Sequence, residues 1–156
     1  MAYSATAVAN AFIEKAQKGQ LPGLTPMKLQ KLLFYIQSWH LKLYDGKPLF
    51  EESFMRWKFG PVIPTLYHEL KKYGSAPIDK KIRKIEIDGE DFTALTPSVQ
   101  PDDHIACALV DKIVEVYGKF SATQLSNMTH ADNAAWSKGE PDGGPISFDD
   151  MAKYIH

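Results

Sequence analysis

Five histidines, one cysteine and the stretch His68-Glu69-Leu70-Lys71-Lys72 are the residues with which this 156-residue chain could do chemistry. A zinc protease of the H-E-x-x-H kind needs a second imidazole one helical turn on, so that both rings share one face. Position 72 is lysine, and the motif is rejected. No C-x-x-C pair and no H-x-x-x-H pair occurs, so zinc-ligand spacing is absent too. The chain also lacks G-x-S-x-G, G-x-x-x-x-G-K-[ST] and G-x-G-x-x-G, the spacings that expose a nucleophilic serine or cradle phosphates. His40 lies on an apolar helical stripe beside Trp39 with no nucleophile or carboxylate partner in the pattern, which reads as a hydrogen-bonded structural histidine. His130 falls at a helix C-terminus, where a donor suits the orphan carbonyls. His68, His104 and His156 read as solvated. The enzymatic alternative is a His40/His130 acid–base pair meeting in a cleft. Cys107 cannot form an internal disulfide and sits in an apolar helical stretch as a small hydrophobe.

Binding is a better use of these residues. In "RWKFGPVIPTLYHEL", residues 56–70, Met55, Trp57 and Phe59 alternate with Arg56 and Lys58, as in a strand with one buried face. That alternation predicts Trp57 and Phe59 against the helices and Arg56 and Lys58 in solvent. Gly60-Pro61 breaks the strand, and Val62-Ile63-Pro64 leads into a helix. Two prolines fix φ and lower the ordering cost that a partner would otherwise have to offset. Tryptophan and arginine are also the residues that dominate binding hot spots. The corner therefore reads as a surface for another protein. Trp136 lies in a polar loop, where a lone aromatic docks back onto the domain.

Helical elements must hold that corner. Val8, Phe12 and Ala16 stripe a helix over 4–18, ended by Gly19. The strongest pattern follows: Thr25 as N-cap, Pro26 at the first helical position, then Leu29, Leu32, Leu33, Ile36, His40 and Leu43. Lys28, Lys31 and Lys42 lie off that stripe. Asp45-Gly46 ends the helix. A strand at 54–59 precedes the corner, and Pro64 opens a helix that stops at Gly74. Residues 83–95 form a hairpin around Asp88-Gly89. Because two strands alone are marginal in water, strand 54–59 is expected to join them as a third. A helix begins near Pro101 with the stripe Ile105, Leu109, Ile113 and Val116, flanked by Ala106, Val110 and Tyr117. Ser121-x-x-Gln124 is a capping box for the next helix, which ends near His130. Residues 131–146 read as a surface loop, and Ser147 caps a last helix through Tyr154. The fold class is mainly α, an α+β bundle of five to six helices with a small two- to three-stranded antiparallel sheet, in one domain over 1–156.

Composition sets further bounds. The apolar fraction of 44% is ordinary for a globular chain. Net charge is −1, so bulk charge names no partner. Lys71, Lys72, Lys80, Lys81, Arg83 and Lys84 cluster, but six cations fall short of a basic domain. They read as a solvated helix end and turn rather than a nucleic-acid patch. No leader pattern and no apolar run long enough to span a bilayer is present, so the expectation is a cytoplasmic protein.

The stretch "LQKLLFYIQSWHLKLYDGKPLFEESFMRWKFGPVIPTLYHELKKYG" and the later "LSNMTH" followed by Trp136 resemble the Panacea, or SocA-like, antitoxin domain family, also called phage-associated GepA-like proteins. The likeness spans about residues 8–138. One departure is visible: the family pattern leads to a proline before the tryptophan, and Ala135 stands there. The resemblance implies a mainly helical domain with a small sheet, acting as an antitoxin that binds and neutralises a toxin encoded beside it. It implies that one branch of the family delivers its toxin to an AAA+ protease, so a proteolytic adaptor or a phage-encoded regulator is the alternative. No cofactor, metal or catalytic residue comes with the resemblance. The surface expected to meet the partner comprises Arg56, Trp57, Lys58, Phe59, Gly60, Pro61 and Val62, with Trp39 and His40 of the long helix.

Overall fold

The structure, a computed structural model, describes residues 2–131, 134–138 and 143–156. Six helices are described: α1 Ala5–Gln17, α2 Pro26–Leu43, α3 Pro64–Leu70, α4 His104–Tyr117, α5 Ala122–Thr129 and α6 Phe148–Tyr154. Two antiparallel hairpins accompany them, β1 Met55–Trp57 with β2 Gly60–Val62, and β3 Lys84–Asp88 with β4 Asp91–Leu95.

The whole arrangement is built on α2. Its start is local chemistry: the Thr25 hydroxyl accepts from the Lys28 amide and Pro26 occupies the first turn, where a missing N–H costs nothing. Leu29, Leu32, Leu33 and Ile36 are fully buried on one side, and Phe34 and Tyr35 are buried on the other. A helix hidden all round must touch neighbours all round, and α2 packs on α1, α4, α5, α6 and β2. Leu43, assigned to the stripe by spacing, is 57% exposed.

Burying a helix on every side forces polar residues inward, and each must find a partner. Three buried amides do so by holding irregular backbone. Gln37 accepts from the Leu49 amide and donates to the Phe50 carbonyl. Gln30 accepts from the Ile63 amide at 2.9 Å and donates back to its carbonyl at 3.1 Å. Asn10 of α1 does the same for Ile82 and also donates to the Pro97 carbonyl. Lys28 and Lys31, placed off the stripe by the pattern, are likewise buried, at 3% and 1% exposure.

Three expectations about the sheet and α4 need correction. Strand 55–57 does not join the 84–95 hairpin; it pairs with Gly60–Val62, and the two hairpins form separate sheets. The β3–β4 turn falls on Gly89-Glu90, since Asp88 still pairs with Asp91. On α4 the buried residues are Ala106, Val110, Ile113 and Tyr117, so the helix is rotated by about one residue. Ile105 and Val116 are left exposed, and α4 starts at His104 with Asp103 as its cap. The 131–146 segment is also less superficial than expected. Ala135 and Ile146 are buried, and the backbone at 144–146 runs along residues 54–56. Residues 132, 133 and 139–142, the last within "GEPDGGP", lie outside the described residues. No helix among the described residues is long and apolar enough to cross a membrane.

Candidate functional site: the β1–β2 corner

The sequence at 55–62 folds back on itself in the tightest available way. Met55 pairs with Val62, Arg56 with Pro61 and Trp57 with Gly60, leaving Lys58-Phe59 at the tip. Gly60 makes this possible. Its φ is +115°, a region that side chains disfavour. A Cβ there would lie 2.8 Å from Thr129 Oγ1 and 2.9 Å from Lys31 Cε.

Side chains distant in sequence fix the tip through its carbonyls. Trp136 Nε1 donates to the Trp57 carbonyl at 2.9 Å. His130 Nε2 faces the Lys58 carbonyl at 2.9 Å, and Ser126 Oγ donates to the Phe59 carbonyl at 2.7 Å. Lys31 Nζ donates to the Pro61 carbonyl at 3.3 Å. Four backbone acceptors on a short turn are thus satisfied by α2, α5 and the segment after α5. The His130 ring is held further by Trp136, centroid to centroid 3.9 Å, and by the Ser126 carbonyl 2.6 Å from Nδ1. Ser126, His130 and Trp136, all from "LSNMTH" and its following tryptophan, therefore meet the "RWKFGPV" stretch in space.

What the corner presents differs from the alternation argument. Phe59 is 60% exposed, not packed on the helices. Trp57 is half-buried and meets Tyr67 edge-on at 5.0 Å. Arg56 turns back instead, its Nε donating to the Trp136 carbonyl and its guanidinium to the Pro145 carbonyl at 2.7 Å. A tip of two residues ending at a positive-φ glycine twists too sharply for strand alternation to hold. Phe59 comes out, Trp57 stays half-buried against Tyr67, and the arginine becomes a tether. Lys58 is exposed, its ammonium 5.6 Å from the Phe59 ring centre. Pro61 and Val62 are buried.

Behind the tip lies a groove of about 540 Å³ between β1–β2, the start of α2 and α3. Met27, Trp57, Phe59, Val62 and Tyr67 give it apolar walls, and Lys31 lies at its floor. Burial brings the Lys31 ammonium down to about 8, since a low-dielectric site penalises the charged form. Sequence patterning missed Lys31, Gln30, Tyr67, Ser126 and Thr129; the capping box at Ser121 placed α5, but nothing local says which of its residues reach the corner.

Trp39 and His40 are not part of this surface. They sit about 13 Å further along α2 than Lys31, at 1.5 Å per residue. Trp39 Nε1 donates to the Tyr117 hydroxyl at 2.9 Å, while His40 Nδ1 is 2.6 Å from the Lys47 carbonyl. His40 and His130 have separate partners, so the acid–base pair does not assemble. In the basic cluster, Lys72, Lys80, Lys81 and Arg83 line an open cleft of about 710 Å³ with Glu69, and Lys81 pairs with Glu14 at 3.4 Å.

The chain also has relatives of known class. Residues 29–137 match the family described as Antitoxin SocA-like, Panacea domain, and the chain belongs to that family. Antitoxin SocA of Caulobacter vibrioides (strain NA1000 / CB15N) is 31% identical over 132 residues, covering 85% of this chain and 68% of that protein. No solved structure matches the chain.

Proposed function

We propose that this protein is an antitoxin that neutralises a toxin by direct binding, and that the β1–β2 corner is the surface that grips it. Family membership over residues 29–137 carries the antitoxin reading. The choice of surface is supported by an exposed Phe59 and Lys58 on a backbone held by four side chains. Such a tip loses little freedom on docking, and aromatic and cationic groups on a rigid base are what binding hot spots use. The 156 residues act as one cytosolic unit, without catalysis, on a toxin encoded by the adjacent gene. Co-expression tests this: the neighbouring gene alone should arrest growth, and this protein should restore it. A harmless neighbour removes the reading.

A second reading, a proteolytic adaptor, needs a surface besides the corner. The β3–β4 hairpin supports it. Ile85, Ile87 and Phe92 are 70–76% exposed on one face of that hairpin. An adaptor shortens its client's lifetime in the presence of an AAA+ protease; a client half-life unaffected by this protein leaves only the neutralising role.

A further inference from the structure

Lys28 and Lys31 sit one turn apart on α2, both hidden from solvent, and their surroundings differ in one respect. The Lys28 ammonium donates to the Pro22 carbonyl at 2.8 Å and to the Gly118 carbonyl at 2.6 Å. Gly118 is the C-cap of α4, where a cation complements the helix dipole. Lys28 is a staple with its partners in place. Lys31 has the Pro61 carbonyl at 3.3 Å, and no carboxylate among the described residues lies within salt-bridge distance of it. Its ammonium carries three donors, and its hydrogen bond is longer than either of those Lys28 makes.

The groove above Lys31 has the matching character. Its walls are apolar and aromatic, its cations are Lys31, Arg56 and Lys58, and none of the described lining residues is acidic. An apolar partner alone would leave the ammonium buried and poorly paired, which is costly. A carboxylate would pair it through a charge-assisted hydrogen bond at low dielectric, the strong kind. Apolar and aromatic walls, Met27, Trp57, Phe59, Val62 and Tyr67, favour an acidic side chain with residues on both sides of it over a chain terminus, which has residues on one side only.

We propose that this groove receives an acidic side chain flanked by apolar residues on a protein partner, with the Lys31 ammonium taking the carboxylate and Trp57, Phe59 and Tyr67 covering the flanks. The inference rests on the corner being the toxin-gripping surface and specifies the chemistry of the toxin segment that enters it. Gly60 belongs to the same device, because any side chain there would displace the lysine.

The test titrates the full chain with three peptides: acetyl-Phe-Glu-Leu-amide and its glutamine analogue, both capped at each end, and acetyl-Phe-Leu with a free C-terminus. Calorimetry at pH 8 in two buffers of different ionisation heat reads affinity and proton uptake together. The glutamate peptide should bind about tenfold or more tightly than the glutamine one. It should take up a measurable fraction of a proton, because burial holds the free ammonium's pKa down to about 8 and pairing raises it. Lys31→Met should remove both the preference and the uptake. Equal binding of the two capped peptides, no binding of either, or a preference that survives Lys31→Met overturns the proposal. Tighter binding of the free C-terminus overturns the choice of a side chain. Proton uptake is read on the unmodified protein, so the test stands even if Lys31→Met fails to fold. No toxin is used, so the peptide result and the growth-rescue result fail independently.

Discussion

Lys31 is a charge that the fold tolerates at a cost, and the cost has a pH signature. Burial lowers its pKa from 10.5 to about 8. Between those values the unfolded chain holds a proton that the folded chain does not, so stability must rise with pH across that window. The rise is on the order of 3 kcal/mol. Urea unfolding from pH 7.5 to 10.5 should show it in the wild type, and Lys31→Met should reduce the rise, leaving the smaller part that comes from Lys28, whose pKa burial also lowers; parallel profiles would mean that the Lys31 ammonium is better solvated than its surroundings indicate. Gly60 makes the second prediction at this scale. Gly60→Ala meets a strained φ and contacts of 2.8 and 2.9 Å at once, and should destabilise by about 2 kcal/mol or more. An unchanged melting temperature would show that Lys31 and Thr129 can move aside. Residues were also the scale least legible in the sequence. Pattern reading treats every lysine as solvent-facing, and the carbonyls that hold Lys28 and Lys31 come from other elements. Phe59 was misplaced for a related reason: alternation describes a strand, and Phe59 belongs to a turn.

Elements were legible where their signals are local. Thr25-Pro26, Ser121 with Gln124, and Ser147 all cap helices as their side chains predict. Pairing was not legible, because β1 and β2 are three residues each and join through Lys58-Phe59, with none of the Asn-Gly chemistry that marks a hairpin. Pro61 within β2 further demotes that run as a strand. On α4 apolar residues cover more than one face, so spacing alone could not choose between Ile105 and Ala106. The β3–β4 hairpin was legible and still holds a surprise, an apolar face turned outward. Asn10 grips the chain on either side of it, at Ile82 and Pro97, and the strands themselves are exposed throughout. Ile85→Ser with Phe92→Ser should therefore leave the unfolding free energy within about 0.5 kcal/mol of wild type. A large loss would mean that the hairpin packs on the body in solution.

At the scale of the whole molecule, two stretches far apart in sequence converge on one turn: the corner at 55–62 and the motif from Ser126 to Trp136. The bundle's work, in this account, is to present Lys58 and Phe59 rigidly over a groove with a cation in its floor. The family and the helical class were legible because they rest on long patterns; the groove was not, because it exists only once α2, α3 and both strands are packed. The most direct measurement is the dissociation constant of the adjacent gene's product for two double variants. Phe59→Ala with Lys58→Glu should weaken binding by about 2 kcal/mol or more, roughly thirtyfold, while Ile85→Ser with Phe92→Ser leaves it within about twofold. Wild-type affinity in the corner variant, with the loss appearing in the hairpin variant, would contradict the account.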